Sequence, residues 1–226
     1  MSRFYVPPQE ARRAHAGLRM DKFMNVDDPE WPDVAGQKLD DAVYRLAYQR
    51  WETFWKTDAP EGRVCVKGRV KGRMAVGLGA KGVLEVGLRL SHSYGVPVIP
   101  ASAVKGVLRG ALEDEALISF LFGSEEQMGF VGFQDAWWVP ESKAPLAVDV
   151  MTVHHPKYHS GGAPPSDCDS PNPVQFLSMR GSFLFVADAP NKVWRDYVEK
   201  LLVQTLEKQG VGAKTAAGYG RFVFGG

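Results

Sequence analysis

The stretch that decides the fold is Gly82–Gly123, GVLEVGLRLSHSYGVPVIPASAVKGVLRGALEDEALISFLFG. From Gly82 to Ser91, every second residue is apolar, which is typical of a strand with one buried face. After the turn YGVPVIP the apolar residues follow a helical period, and we predict one helix with Ser102 as its N-cap and Gly123 at its end. The first unit of the fold is therefore predicted to be a strand followed by a helix.

Four further segments extend this unit. The runs GFVGFQDAWWVP and VQFLSMRGSFLFVAD predict strands, APNKVWRDYVEKLLVQTLEKQG predicts a helix that ends at Gly210, and GYGRFVFGG predicts a last strand. In the second helix, Tyr197, Leu201, Leu202 and Leu206 are predicted to line one face. The order βαββαβ is that of the ferredoxin-like or RRM-like plait, an α+β fold in which two helices back a four-stranded antiparallel sheet.

The domain organisation follows from these elements. We predict an N-terminal extension over residues 1–60, a main domain over residues 61–226, and within it a Pro/Gly/His-rich insertion, a loop or hairpin, over about residues 141–173. The extension carries an amphipathic helix from Leu39 to Trp55 that is predicted to pack on the main core. Its apolar side is predicted to hold Leu39, Val43, Leu46, Ala47, Phe54 and Trp55.

The bulk composition narrows the class of protein. The chain has 226 residues and a net charge of only +1, which argues against a strongly basic nucleic-acid binder. Its two cysteines are far apart, so no disulfide framework is predicted. No apolar run approaches the roughly 18 residues of a membrane span, and the N-terminus lacks an apolar signal core. We therefore expect a cytoplasmic protein without a membrane partner.

Positive charge is nevertheless concentrated in one place. Between Glu61 and Glu85 the chain has basic side chains, interleaved with Val and Gly, and no acid. Such a strip can follow a phosphate backbone, or it can be a solvated edge strand whose cations prevent aggregation. The strip consists of Arg63, Lys67, Arg69, Lys71, Arg73 and Lys81.

Two further segments place polar groups together. On the predicted first helix, Ser102, Lys105 and Arg109 share the face opposite the apolar one. Near the C-terminus, GVGAKTAAGYGRF is rich in glycine but is not a Walker A loop, because Ala213 stands where that motif needs a glycine. It also follows a helix instead of a strand.

Several stretches, taken in order, resemble the RAMP proteins of CRISPR systems. They are YGVPVIPASAVKGVLRGAL, LFG, GFVGFQDAWW, LAVDVMTVHHPKYH, SPNPVQFLSM and GVGAKTAAGYGRF. Within that superfamily they are most similar to the subunit-six family of the type III-B (Cmr) effector complex. One departure is that PASAVKG puts Ala101 and Ala103 where family members have a glycine and a serine, whereas Lys105, Gly106 and Arg109 match.

The resemblance implies a noncatalytic RNA-binding subunit that caps a backbone filament near the 3′ part of the guide RNA, in antiviral defence. It implies that the glycine-rich loop lies beside the first helix and that both hold guide and target RNA by phosphate contacts. The implied partners are the repeated backbone RAMP subunit and the small helical subunit. No cofactor is expected. With the basic strip included, the predicted RNA-binding residues are Ser102, Lys105, Arg109, Gly212, Lys214, Thr215, Tyr219, Arg221, His154, His155, Arg73 and Lys81.

Alternatives stay open at three points. Tyr219 either stacks on a base or is a core tyrosine in a tight turn. Related RAMP proteins cut guide precursors with a histidine as general base. His154, His155 or His15 could therefore make this chain a metal-independent endoribonuclease. Asp149 is a further candidate catalytic residue. The third alternative is a zinc site, with the ligands His154, His155, His159, Asp167 and Cys168.

Overall fold

The computed structural model describes residues 14–24, 31–39, 42–79, 87–140, 144–153 and 172–225. Within these ranges the strands are β1 (Arg63–Val70), β2 (Val98–Ile99), β3 (Gly132–Phe133), β4 (Ala136–Trp138), β5 (Leu146–Val153), β6 (Asn172–Met179), β7 (Ser182–Asp188) and β8 (Phe222–Phe224). The main sheet has the order β2-β4-β7-β1-β8, and β3 also pairs with β7. β5 and β6 form a separate two-stranded sheet. Every pairing is antiparallel.

Helices lie before, between and after these strands. They are α1 (Ala16–Leu18), which continues into a π-helical turn (Arg19–Phe23), α2 (Trp31–Ala35), α3 (Ala42–Lys56), α4 (Ala101–Arg109), α5 (Glu115–Phe122) and α6 (Lys192–Lys208). A 3-10 turn (Thr215–Ala217) precedes β8. Among the helices described, none has the length and apolar character needed to cross a membrane.

The predicted mixture of helices with an antiparallel sheet is confirmed, but the described part of the predicted first strand, residues 87–91, is not assigned as a strand, and residues 82–86 lie outside the described ranges. Over the described residues 87–91 the only pairing is an isolated bridge between Leu90 and Pro97. The backbone bonds of this segment go to two places, because Gly87 N and Arg89 N donate to Leu78 O and Val76 O, whereas Ser91 N donates to Val96 O. The main sheet instead begins with β1. This strand carries the first part of the basic strip and pairs with β7, and because Gly68–Val70 also pair with β8, its C-terminal end is not an edge.

The predicted helix over residues 101–123 is two helices. α4 ends at Gly110, and the side chain of Asp114 starts α5 by accepting hydrogen bonds from the Ala116 and Leu117 amides. Ser102 is not a cap, because it lies inside α4 and Pro100 occupies the N-cap position. Gly123 ends α5 as predicted, with a φ of 83°.

Helix α6 forms where it was predicted, but its buried face differs in part from the predicted one. Asn191 caps it through a hydrogen bond from the Trp194 amide at 3.1 Å. Of the residues predicted to line one face, Leu202 and Leu206 are buried and Leu201 packs against the core. Tyr197 is 36% exposed. The residues that are buried on α6 are Val198, Leu202, Thr205 and Leu206.

Helix α3 covers one face of the main sheet. The guanidinium of Arg63 lies 4.5 Å from the centre of the Trp55 ring, and the Trp51 ring stacks on Trp137 of β4 at 4.8 Å. The other face of β1 holds buried Val64 and Val70, and α6 packs against β1 and β8. The main sheet therefore lies between α3 and the layer that contains α6.

The side of α3 that packs inward differs from the predicted one. Tyr44, Tyr48 and Trp55 are buried, whereas Val43, Leu46 and Phe54 are 66%, 50% and 65% exposed. The predicted apolar side rested mainly on aliphatic residues, whereas large aromatic rings are what pack over the sheet. Of the residues predicted for the apolar side, Leu39 and Trp55 are buried.

Candidate nucleic-acid interface

The glycine-rich loop, defined here as residues 210–221, is held by backbone hydrogen bonds to the segment that follows β1. Ala213 N donates to Ala75 O at 2.7 Å, and Gly220 N donates to Arg73 O at 2.8 Å. Val211 N closes the base of the loop by donating to Gly220 O at 2.9 Å. These bonds fix the base of the loop to the core.

Two of its glycines are required by close contacts. Gly212 has a φ of 97°, and a Cβ atom there would lie 2.4 Å from Ala75 O. Gly220 has a φ of 70°, and a Cβ atom there would lie 2.0 Å from Val211 O. Positive φ and the absence of space both exclude other residues. The glycines let the chain pass close to the backbone of the neighbouring segment.

The tip of the loop presents donors and cations to solvent. Lys214 has a φ of 60° and precedes the 3-10 turn, whose first amides, those of Thr215 and Ala216, donate no hydrogen bond to any described residue. Lys214 and Arg221 are exposed. Successive free amides beside a left-handed residue form a concave surface suited to anions, and the two cations add charge.

Tyr219 faces the two-stranded sheet of β5 and β6. Its hydroxyl donates to Asp149 Oδ2 at 2.5 Å, and its ring lies 6.2 Å from that of Phe176. Burial raises the pKa of Tyr219 to about 12, and the hydrogen bond and charge of Asp149 add to the effect. The contacts favour the interpretation of a packed tyrosine. Stacking of Tyr219 on a base stays a prediction.

The polar face predicted for the first helix lies on α4, which is far from the glycine-rich loop in sequence. Ser102 and Arg109 are exposed and Lys105 is half-buried, whereas Val104 and Leu108 face the core. Arg109 Nη1 donates to the carbonyl of Gly123 at 3.0 Å and so ties α4 to the end of α5. Among the described residues, no hydrogen bond or ring contact joins α4 to the glycine-rich loop.

The basic strip has two parts that differ in their contacts. The cations of the first part form ion pairs with carboxylates of the protein. Arg63 Nε lies 2.7 Å from Asp188 Oδ1. Lys67 Nζ lies 2.9 Å from Glu52 Oε1 of α3. Burial opposes ionisation of Glu52, but hydrogen bonds from Lys56 and Lys67 outweigh it and lower the pKa of this carboxyl. These two strip residues hold α3 on the sheet.

The second part of the strip lines what we term the basic cleft, an open cavity of about 340 Å³ between the end of β1 and the turn from β6 to β7. Arg180 joins it from the other side of this turn, and its distance in sequence from the strip is the reason that it was not predicted. The lining residues are Arg69, Val70, Lys71, Gly72, Arg73, Arg180, Gly181 and Val223.

The remaining predicted residues either have a hydrogen-bond partner in the structure or lie outside the described ranges. His15 Nδ1 accepts a hydrogen bond from the Leu18 amide at 3.2 Å and caps α1. Within the described ranges, no group of three or more His, Cys, Asp or Glu side chains could hold a metal ion. Several predicted residues lie outside the described ranges, namely Lys81, His154, His155, His159, Asp167 and Cys168.

Comparison with known proteins gives matches over most of the chain. A model of the RAMP superfamily matches residues 67–223. The CRISPR system Cmr subunit Cmr6 of Pyrococcus furiosus is 27% identical over 278 residues, covering 91% of this chain and 81% of that protein. The CRISPR system CMR subunit Cmr6 of Saccharolobus solfataricus is 30% identical over 148 residues, covering 62% of this chain and 49% of that protein.

A solved structure shows the same fold. A chain in the cryo-EM structure of the Type III-B Cmr-beta bound to cognate target RNA superposes with a TM-score of 0.70 at 22% identity, over 87% of this chain and 70% of that chain. The resemblance predicted from the sequence motifs is confirmed by these matches.

Proposed function

Because this chain belongs to the RAMP superfamily, we propose that it is a noncatalytic RNA-binding subunit of a type III-B CRISPR effector complex. Two relatives named Cmr6 support the assignment to this class of complex, and one of them matches over 91% of the chain. Its role is to cap the backbone filament near the 3′ part of the guide RNA. Its partners are guide and target RNA, the repeated backbone subunit and the small helical subunit.

The observation that carries the proposal is the tip of the glycine-rich loop. The amides of Thr215 and Ala216, which donate to no described residue, lie in the chain between exposed Lys214 and exposed Arg221. Amides and flexible cations bind phosphate oxygens whatever the base, and such contacts position a strand without reading its sequence. A subunit whose specificity comes from guide pairing needs contacts of this kind.

The strand order supports the plait as the scaffold for this interface. Reading across the sheet, β4, β7, β1 and β8 are neighbours, with helices α4 and α5 between β1 and β4 in the chain and α6 between β7 and β8. Counted as four strands in chain order, this is the order 2-3-1-4 of a βαββαβ plait. The loop leads directly into the last of these strands.

Two side chains suspected of catalysis have structural partners, which supports a noncatalytic role. Asp149 Oδ2 accepts a hydrogen bond from Tyr219, and its Oδ1 accepts one from the Val150 amide at 3.0 Å. The Nδ1 atom of His15 accepts from a backbone amide.

The test is a titration of fluorescently labelled guide-length RNA with the purified full chain, alone and with its neighbouring subunits, at two salt concentrations. We expect salt-sensitive binding of intact RNA, strengthened by the partners. Changing Lys105→Glu together with Lys214→Glu should weaken binding about tenfold or more and lower the salt dependence, because each lost phosphate contact removes about 0.7 from the logarithmic slope. A matched control is Lys192→Glu with Lys200→Glu, two exposed cations on α6.

Other outcomes would overturn the proposal. Absence of RNA binding in every assembly removes the RNA role. Shortened RNA on a denaturing gel, lost in a variant with His154→Ala and His155→Ala, would instead identify a RAMP-type metal-independent endoribonuclease.

A further inference from the structure

The basic cleft adjoins the glycine-rich loop through the backbone. Lys71 N donates to Arg221 O at 2.7 Å, and Val70 N donates to Gly181 O at 2.9 Å. The end of β1 is thus bonded to the end of the loop on one side and to the β6–β7 turn on the other. The cleft therefore lies next to Arg221, at the end of the glycine-rich loop.

Among the described residues, no carboxylate pairs with a cation of the cleft. Four of its lining side chains are cations, and the others are aliphatic residues or glycine. Arg69 and Lys71 are exposed, and neither side chain has an ion pair or hydrogen bond within the described ranges. On the same strand Arg63 and Lys67 are both paired with carboxylates. The contrast within one strand shows that pairing stops where the cleft begins, and like charges held together attract an anion.

Two of the cations are held in position by protein acceptors. Arg73 Nη1 donates to Ser178 Oγ at 3.1 Å, and Ser178 Oγ in turn donates to Ala147 O at 3.2 Å. Arg180 Nε donates to Ala144 O at 2.8 Å. A guanidinium has five N–H donors in a rigid fork, so each arginine keeps donors for a ligand. Fixing the fork beforehand lowers the entropy lost on binding.

The lining also indicates what part of a ligand is bound. It contains no aromatic side chain on which a base could stack. Val223, which is 40% exposed, offers aliphatic surface of the kind that packs against ribose, and the cations match phosphate. The cleft therefore suits a sugar-phosphate backbone, not a nucleobase.

We infer that the basic cleft is a second phosphate-binding site that continues the RNA backbone track from the glycine-rich loop across the exposed end of the sheet. This inference rests on the proposed function and adds Arg69, Lys71, Arg73 and Arg180 to its residues. It makes the interface longer than the loop alone, so its contribution should grow with the length of the RNA.

The experiment uses the full chain, with a labelled oligouridine of guide length and a short one as probes. We expect Arg69→Glu with Lys71→Glu to weaken binding of the long RNA about tenfold or more, and to reduce the logarithmic salt slope by about 1.4 because two phosphate contacts are lost. The short RNA should be affected less. The exchange Arg69→Lys with Lys71→Arg keeps the charge and should bind nearly as well as the original chain.

The controls separate this inference from the proposed function. Lys192→Glu with Lys200→Glu changes the net charge equally on α6 and should leave binding within twofold. The two positions changed in the cleft variant are exposed, so the substitutions should leave the core intact, and a thermal melt verifies this. Arg180→Gln tests the opposite wall of the cleft independently.

Each remaining outcome is decisive. If the cleft variants bind RNA normally while Lys214→Glu binds weakly, the cleft inference fails and the proposed function stands. If the original chain binds no RNA even with its partners, the proposed function itself fails. If the cleft variants lose binding of inorganic phosphate but still bind RNA normally, the cleft is a site for a free anion. If they lose only their association with the neighbouring subunits, the cleft is a protein interface.

Discussion

Tyr219 shows how one residue couples two parts of the molecule. Its hydroxyl joins the glycine-rich loop to β5 through Asp149. Because the native pKa of this phenol is raised to about 12 from an ordinary value of 10.0, the folded protein holds the phenol proton more tightly than the unfolded chain does. The contribution to stability is therefore complete below pH 10 and is lost as the pH rises through about 12.

This linkage gives a prediction for Tyr219→Phe. Near pH 8 the variant should unfold at a lower temperature, because the hydrogen bond to Asp149 is lost. Between pH 10 and 12 the advantage of the original chain should shrink, while the other tyrosines contribute equally to both proteins. Melting temperatures measured across this range check the prediction. In an Asp149→Asn background, where no carboxylate charge opposes ionisation, the advantage should be lost closer to pH 10, and a constant difference at all pH values would contradict the linkage.

The break between α4 and α5 is set at the scale of the element. The apolar period continues across residues 110–114, and so the sequence pattern predicted one helix. The chain nevertheless turns there, because Gly110 ends α4 and Asp114 satisfies two amides of a new helix. Contacts distant in sequence fix the direction of α5, such as Phe120 against Trp194 of α6 at 4.9 Å. A local pattern does not contain that contact.

The two competing caps can be tested with alanine. Asp114→Ala should lower the free energy of unfolding by about 1 kcal/mol, the usual cost of removing an N-cap side chain. Ser102→Ala should change it by less than about 0.5 kcal/mol, because Ser102 is exposed inside α4. Urea unfolding of both variants measures the difference. Equal effects, or a larger loss at Ser102, would restore the single-helix interpretation.

At the scale of the whole molecule, local segments of the interface were predictable and their assembly was not. The glycine-rich loop could be recognised from its composition alone. Several of its backbone positions have positive φ, which glycine adopts most easily, and so the local conformation leaves its mark in the local sequence. The basic cleft could not be recognised in this way, because Arg180 comes to the strip only through the pairing of β1 with β7. The same pairing brings Arg63 and Lys67 beneath α3, where their charges stabilise the packing of the extension.

The packing of α3 on the sheet makes the extension part of the main core, and two adjacent residues test it. Trp55 is 8% exposed beneath Arg63, whereas Phe54 is 65% exposed, although the sequence pattern placed both on the buried side. Trp55→Ala should therefore cost about 3–5 kcal/mol of unfolding free energy, as for other buried aromatic truncations. Phe54→Ala should cost less than about 0.5 kcal/mol. Denaturant unfolding of the full chain distinguishes the two. A small loss at Trp55 would mean that α3 contributes little to the sheet and that the extension is a separate unit.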